Sequence, residues 1–326
     1  AATHNNFWQL FARPAGSTAW KLVTPPGVAD NGGLVTAGTG GQSLITGIRP
    51  SQYLTYTPLT TTRDSGQAWS PTGPLDGPLA DVPDALAAAP ATGNLLALLT
   101  SGTAKLAGPG YTSWETLTTQ RALGATPAGR RCGLHRLTAA VFTPSGLPLL
   151  AGACGRPGVA GIFTTRDGLW QASGPYLPAA LARRAVTVLR LARTTNRTVA
   201  LLQAGAGVTV GLLAAWSADN GRHWALSPPF KPGGAKLSSA SFGPTGAATI
   251  VLSGNRAETI ASAGARWQSL PALPPGTATL APGPAGGFDA LAVHRTRLTV
   301  WQLGPGAATW RATQILNVPV QFGSSG

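Results

Sequence analysis

The sequence predicts an all-β fold, a β-propeller of seven four-stranded antiparallel blades forming one domain over residues 1–326. Three observations lead there. Seven of the ten tryptophans, Trp20, Trp69, Trp114, Trp170, Trp224, Trp267 and Trp310, recur at separations of 49, 45, 56, 54, 43 and 43 residues, the period of propeller blades. A glycine-containing turn precedes each of them, and an extended apolar run precedes each turn. Charged residues make up only 10% of the chain while it holds 43 glycines and 28 prolines, so long charged helices have little material and short elements between turns are favoured.

The repeats follow in order. Residues 1–26 form a partial repeat in which Phe7 to Val23 supplies two strands. Six fuller repeats are expected at 27–78, 79–122, 128–178, 183–232, 233–273 and 274–316, and the tail 317–326 offers Val318-Pro-Val-Gln-Phe322 as a strand that closes the ring in the same blade as the N-terminus. Closure removes exposed sheet edges. Six blades with an added N-terminal hairpin is the alternative arrangement. Within a repeat the first two strands meet at a Pro/Gly hairpin: Pro90–Gly93, Pro144–Gly146, Pro244–Gly246 and Pro282–Gly286. Proline fixes φ at one turn position and glycine accepts positive φ at another. The third and fourth strands meet at the hairpin before tryptophan. Two long connections, Gly73 to Ala85 and Leu117 to Cys132, are expected as loops on the upper face. Ala179 to Arg193 has helix-forming composition at its start, but Ala185-Val-Thr-Val-Leu189 favours a strand in its latter half.

The formal charge is +14, with 20 of the 24 basic residues arginine. Such a surface attracts phosphates, uronic acids or anionic lipid. The one arginine cluster, Arg183, Arg184, Arg190, Arg193 and Arg197, follows no nucleic-acid-binding pattern, so nucleic acid is not the expected partner. Cys132 and Cys154 flank the hairpin built from Leu137–Phe142 and Leu147–Ala153, where a disulfide is geometrically possible; reduced buried thiols are the alternative. The opening Ala-Ala-Thr suits a mature exported product, and no apolar run reaches the length of a membrane-spanning helix, so an extracytoplasmic monomer, secreted or held at the cell surface, is expected. Asn196-Arg-Thr198 matches a glycosylation sequon.

The hairpins carry a more specific signal. Thr62-Arg-Asp64-Ser-Gly66-Gln-Ala-Trp69 and Ser217-Ala-Asp219-Asn-Gly221-Arg-His-Trp224 share Ser/Thr, any residue, Asp, any residue, Gly, two residues, Trp. Thr165-Arg-Asp167-Gly168-Leu-Trp170 is a shortened copy, and Ser262-Ala-Gly264-Ala-Arg-Trp267 lacks the Asp. This pattern resembles the Asp box, or BNR repeat, of sialidase-like β-propellers. The resemblance implies hairpins on the face opposite the pocket, with Asp64 and Asp219 accepting backbone N–H bonds, glycine permitting the turn and indoles packing between blades. Asp64, Gly66, Trp69, Asp167, Gly168, Trp170, Asp219, Gly221 and Trp224 are therefore structural.

A sialidase-like enzyme is expected to converge three arginines, a Tyr–Glu pair and an acid/base Asp. Only ten carboxylates exist, three of them in hairpins. The catalytic alternative, a glycoside hydrolase or lyase, rests on Glu258 opposite Asp84, Asp81 or Asp76, since two carboxylates must flank the glycosidic bond. The four histidines form no ligand pair and the cysteines no chelating spacing, so neither metal nor cofactor is expected. The preferred expectation is a noncatalytic propeller binding a protein or an anionic glycan or envelope polymer. Its expected recognition surface is Arg49, Tyr53, Tyr56, Arg130, Arg131, Tyr176, Arg183, Arg184 and Arg256. An assembly or maturation factor is a second alternative.

Overall fold

A computed structural model describes residues 10–14, 16–24, 33–37, 44–48, 59–71, 83–89, 91–111, 113–207, 210–283 and 286–317. Its 26 strands begin with a hairpin, β1 (Phe11–Ala12) and β2 (Lys21–Leu22). Six antiparallel sets of four follow, each a meander. The first set is β3 (Gly33–Ala37), β4 (Leu44–Ile48), β5 (Leu59–Thr62) and β6 (Ser70–Pro71); the second is β7 (Pro83–Ala88), β8 (Leu95–Leu99), β9 (Thr103–Ala107) and β10 (Trp114–Thr119). After two short helices, α1 (Gln120–Ala125) and α2 (Pro127–Cys132), come β11 (Leu134–Phe142), β12 (Pro148–Cys154), β13 (Gly161–Arg166) and β14 (Leu169–Ala172). The fourth set is β15 (Val186–Arg193), β16 (Thr198–Ala204), β17 (Gly211–Ser217) and β18 (Ala225–Leu226). The fifth holds β19 (Leu237–Phe242), β20 (Ala248–Leu252), β21 (Arg256–Ile260) and β22 (Gln268–Ser269), and the sixth β23 (Thr277–Pro282), β24 (Phe288–His294), β25 (Arg297–Leu303) and β26 (Arg311–Asn317).

First strands pack on first strands: β3 on β7, β7 on β11, β11 on β15, and β19 on β23. The arrangement is propeller-like. The third and fourth sets are further joined into one eight-stranded sheet, because the end of β12 pairs with the start of β15 at Ala153↔Thr187 and Cys154↔Val186. Thr138 adds a side-chain bond across the same seam, its Oγ1 donating to the Val188 carbonyl. Second strands such as Leu95–Leu99 and Ala248–Leu252 are buried at every position, and apolar at all but Thr249, because both their faces are covered by neighbouring sheets. The core is accordingly a series of clusters between sheets, the largest spanning the second, third and fourth sets.

First strands share a further irregularity. Register shifts fall at Pro83/Ala85, Leu137/Ala139, Val188/Arg190, Leu237/Ser239 and Thr277/Thr279, near the start of five of the six. A bulge of this kind bends the strand and re-aims its side chains.

The connection Leu117 to Cys132 departs from the loop expected there. β10 runs on to Thr119, whose hydroxyl caps α1 by accepting from the Ala122 N–H at 3.1 Å. Thr126 caps α2 in the same way through the Gly129 N–H at 3.1 Å, Pro127 occupies the first turn, and Gly133 ends the helix at φ 65°. Thr-Pro before and Gly after is a helix start-and-stop signal. The helices cross closely at Gly129, where a Cβ would lie 2.1 Å from the Leu123 carbonyl oxygen. Ala179 to Arg193 opens with a 3-10 turn at Ala179–Leu181 and becomes β15.

The β1–β2 hairpin sits between the last and the first sets. On one side Arg13 pairs with Asp289 at 2.7 Å, and the Gln314 amide both accepts from the Trp20 N–H and donates to the Trp20 carbonyl. On the other, the Trp69 indole N–H donates to the Val23 carbonyl at 2.7 Å, and Trp69 packs on Leu10, Ala12 and Val23. The tail strand Val318–Phe322 and the connection 73–82 lie outside the described residues.

Candidate functional site

The two full hairpin motifs have one bonding scheme. In each, the leading hydroxyl donates to the aspartate and accepts from the glycine N–H: Thr62 to Asp64 at 2.6 Å and from Gly66 at 2.9 Å, Ser217 to Asp219 at 2.8 Å and from Gly221 at 2.8 Å. Asp64 then accepts from the Ala68 N–H, and Asp219 from the N–H groups of Arg222 and His223 and from the His223 ring. Gly66 and Gly221 hold φ of 89° and 84°, reserved in practice for glycine. The Ala68 amide, and then the Thr62 hydroxyl, hold the Asp64 carboxyl below its ordinary range. At Asp219 burial acts upward, but the bonds from the His223 amide and ring and from Ser217 outweigh it and lower the carboxyl to about 2. The shortened copy differs. Asp167 and Gly168 take φ of 51° and 76°, the conformation of a two-residue I′ hairpin, and the Asp167 carboxylate is exposed.

The carboxylates are dispersed. Glu258 lies on β21, the third strand of its set, buried, its two carboxylate oxygens 2.9 and 3.0 Å from the Ser269 Oγ, whose single proton they share, with Arg256 Nη2 3.6 Å away. Asp84 lies on the first strand of a different set, β7, at the register shift. Asp76 and Asp81 lie outside the described residues, as do Arg49, Tyr53 and Tyr56. Asp289 lines two adjoining cavities of 640 and 660 Å³ between the β1–β2 hairpin and the last set, where Arg13, itself stacked over Trp20, occupies it. A third cavity, of 570 Å³, lies between the hairpins of Asp219 and Gly264. Among the described residues no group of three metal-ligating side chains comes together.

Five of the expected recognition residues lie on or beside two chain segments bonded through one loop, which carries a residue the sequence reading passed over. The loop 155–160, between β12 and β13, carries Arg156. Its backbone ties two distant segments together. The Arg156 N–H donates to the Cys132 carbonyl at 2.9 Å and the Gly155 N–H to that of Gly133, which brings in α2 with Arg130 and Arg131. The Gly158 N–H donates to the Arg184 carbonyl at 2.9 Å and the Leu177 N–H to that of Gly158, which brings in Tyr176, Arg183 and Arg184. Gly158 has no substitute here, since a Cβ would meet the Ala182 carbonyl oxygen at 2.5 Å. Arg130, Arg131, Arg156, Arg183 and Arg184 are all exposed, and so is Tyr176, at 70%. Arg256 belongs to the fifth set and takes no part in these contacts. Arg156 carries one sequence signal, its position in the turn directly after Cys154.

Cys132 and Cys154 form a disulfide beneath this surface, with Cα atoms 5.2 Å apart and both side chains buried. It anchors the end of α2 to the end of β12. Gly161 makes room for it: a Cβ there would lie 2.3 Å from Cys154 Sγ and 3.3 Å from Cys132 Sγ. No described helix is long and apolar enough to cross a membrane.

No protein-family model matches the chain, and no curated protein matches it. Solved structures do. A protein from Lactobacillus plantarum is similar at 10% identity over 95% of this chain and 96% of its own, with a TM-score of 0.58. The β-propeller domain of Cps50 (Swd1) from Myceliophteria thermophila follows at 13% identity over 88% and 86%, TM-score 0.55. Catalytically inactive virginiamycin B lyase from Staphylococcus aureus with quinupristin is similar at 11% identity over 90% and 86%, TM-score 0.54. Identities this low bear on the fold, which is β-propeller-like.

Proposed function

We propose that this chain is a noncatalytic recognition domain, a seven-bladed propeller whose upper face binds an anionic partner through the arginine plateau of Arg130, Arg131, Arg156, Arg183 and Arg184 with Tyr176. The observation that carries this reading is the loop 155–160, which gathers exposed guanidinium groups from three chain segments. Between Glu115 and Asp219 the sequence holds eleven arginines and one acid, Asp167, which sits in a hairpin turn at the opposite ends of the strands. The field there is strongly positive, and paired guanidinium donors suit carboxylate and phosphate. A Tyr–Arg–acid constellation for glycoside cleavage has no comparable support. Glu258 is committed to Ser269 and Arg256 within its own set, and Asp84 stands on another.

In this reading the β1–β2 hairpin, bonded to the sets on either side of it, stands as the seventh blade. The ring then makes 1–326 a single domain. The buried disulfide supports an extracytoplasmic location, where such bonds persist.

Charge reversal of Arg131, Arg156 and Arg183 together should abolish retention on a sulfated matrix at physiological salt, while Arg266→Glu and Arg311→Glu leave most of it. Turnover of a defined glycoside that disappears in Glu258→Gln or Asp84→Asn would reverse the noncatalytic reading.

A further inference from the structure

We infer that the plateau is the upper end of an arginine track for a linear polyanionic glycan, which lies across the rim and continues along the first strands of the third and fourth sets toward the axis. The inference rests on the plateau reading and names the class of ligand. Its first support is continuity. Arg136 on β11 and Arg190 on β15 are exposed, and these two first strands are packed on each other. Both follow the local register shifts of their strands, at Leu134/Arg136 and Val188/Arg190. Arg193 ends β15 half-buried, where desolvation lowers its ordinarily high pKa. Arg197, in the turn beyond, lines the third cavity. An eight-residue strand spans roughly 26 Å, and Arg190 and Arg193 on β15 with Arg197 in the turn beyond are spaced along it.

The second support is the openness of the plateau, whose five arginines are all exposed. None of the three cavities is lined by Arg130, Arg131, Arg156, Arg183 or Arg184. A chain with repeated charges gains from every exposed guanidinium it passes. The third support concerns apolar surface. A protein interface needs a core of buried apolar or aromatic side chains. Among the described exposed large hydrophobic residues, Leu22, Val35, Leu147, Leu169, Val293 and Ile315 lie elsewhere, and Tyr176 alone is on the plateau. One exposed ring among arginines fits a sugar that offers hydroxyls, acids and a stacking face. The surface is also rigid, since the disulfide holds α2 and the paired β12 and β15 close the seam beneath it.

Titration of the oxidised protein with heparin fragments of increasing length, from disaccharide upward, tests this directly. Affinity should rise steadily with length and fall roughly a hundredfold between about 50 and about 200 mM salt, as expected when several counterions are released. The variant Arg136→Ala/Arg190→Ala should bind the disaccharide like the parent protein but lose most of the gain from length. The variant Arg131→Ala/Arg156→Ala/Arg183→Ala should weaken every fragment about tenfold or more. Melting curves and tryptophan emission confirm that both variants are folded. If the plateau variant weakens binding but length and Arg136/Arg190 have no effect, the track is wrong and the plateau reading stands. If the plateau variant binds all fragments normally, both fail. Tighter binding of polyglutamate or of single-stranded oligonucleotide than of the longest glycan would assign the surface to another class and overturn the inference.

Discussion

Gly161 shows how one missing methyl group sets the chemistry beneath the plateau. Its Cβ position is already filled by Cys154 Sγ, so Gly161→Ala should destabilise the oxidised protein by about 1–3 kcal/mol, the usual effect of overpacking. Most of that loss should vanish in a Cys132→Ala/Cys154→Ala background, and thermal melts of the four variants give the coupling. Asp219 offers a second residue-level test. Its carboxyl titrates in the folded chain at about 2, below the ordinary carboxylate value of 3.8. A depressed carboxyl contributes stability that is fully present above the unfolded value and lost as pH falls through the folded one, so this hairpin should weaken between about pH 4 and about pH 2. Following the Asp219 carboxyl carbon and the His223 amide by NMR across that window checks it. The Asp219→Asn variant should show no such step.

At the scale of elements, the recurring tryptophans act as staples between sheets. Trp69, Trp267 and Trp310 each donate the indole N–H to a main-chain carbonyl just past the outer strand of the preceding hairpin or set, at Val23, Pro228 and Pro271. Trp224 instead bonds within its own hairpin, to the Gly221 carbonyl. Replacing one stapling indole by phenylalanine keeps most of the ring and removes the donor, which should cost about 1 kcal/mol. Trp69→Phe should also speed amide exchange in β1 and β2 specifically, because Val23 is their anchor to the first set; exchange that changes equally in every set would contradict that role. The sequence reading drew on turn chemistry and strand alternation, which are local. It missed α1 and α2, although Thr119, Thr126-Pro127 and Gly133 are capping residues, because apolar periodicity is weak in helices of six residues.

For the whole molecule, the question is how the first hairpin is held to the last set. Arg13 and Asp289 are 276 positions apart, and Trp20 and Gln314 are 294 apart. Contacts so distant in sequence close the longest loop in the chain, and their loss should show as opening between that hairpin and the last set ahead of global unfolding. Arg13→Ala leaves the largely covered Asp289 carboxylate, 15% exposed, without its partner, a costlier change than removing both. Arg13→Ala should therefore destabilise more than Arg13→Ala/Asp289→Ala, with exchange rising first in β1, β2 and β24; equal stability of the two variants would show that the pair does not hold the hairpin to the last set.

By itself the sequence determined the all-β class, its four-stranded antiparallel sets and the positive charge, since each depends on composition or on residues near one another in the chain. Tertiary structure alone decided that Arg130, Arg156 and Arg184 share a surface, that Gly161 lies over the disulfide, and that Glu258 is occupied within its own set while Asp84 stands apart. Those relations arise when meanders pack side by side and the turns of neighbouring sets meet, and no local pattern encodes which turns will be neighbours.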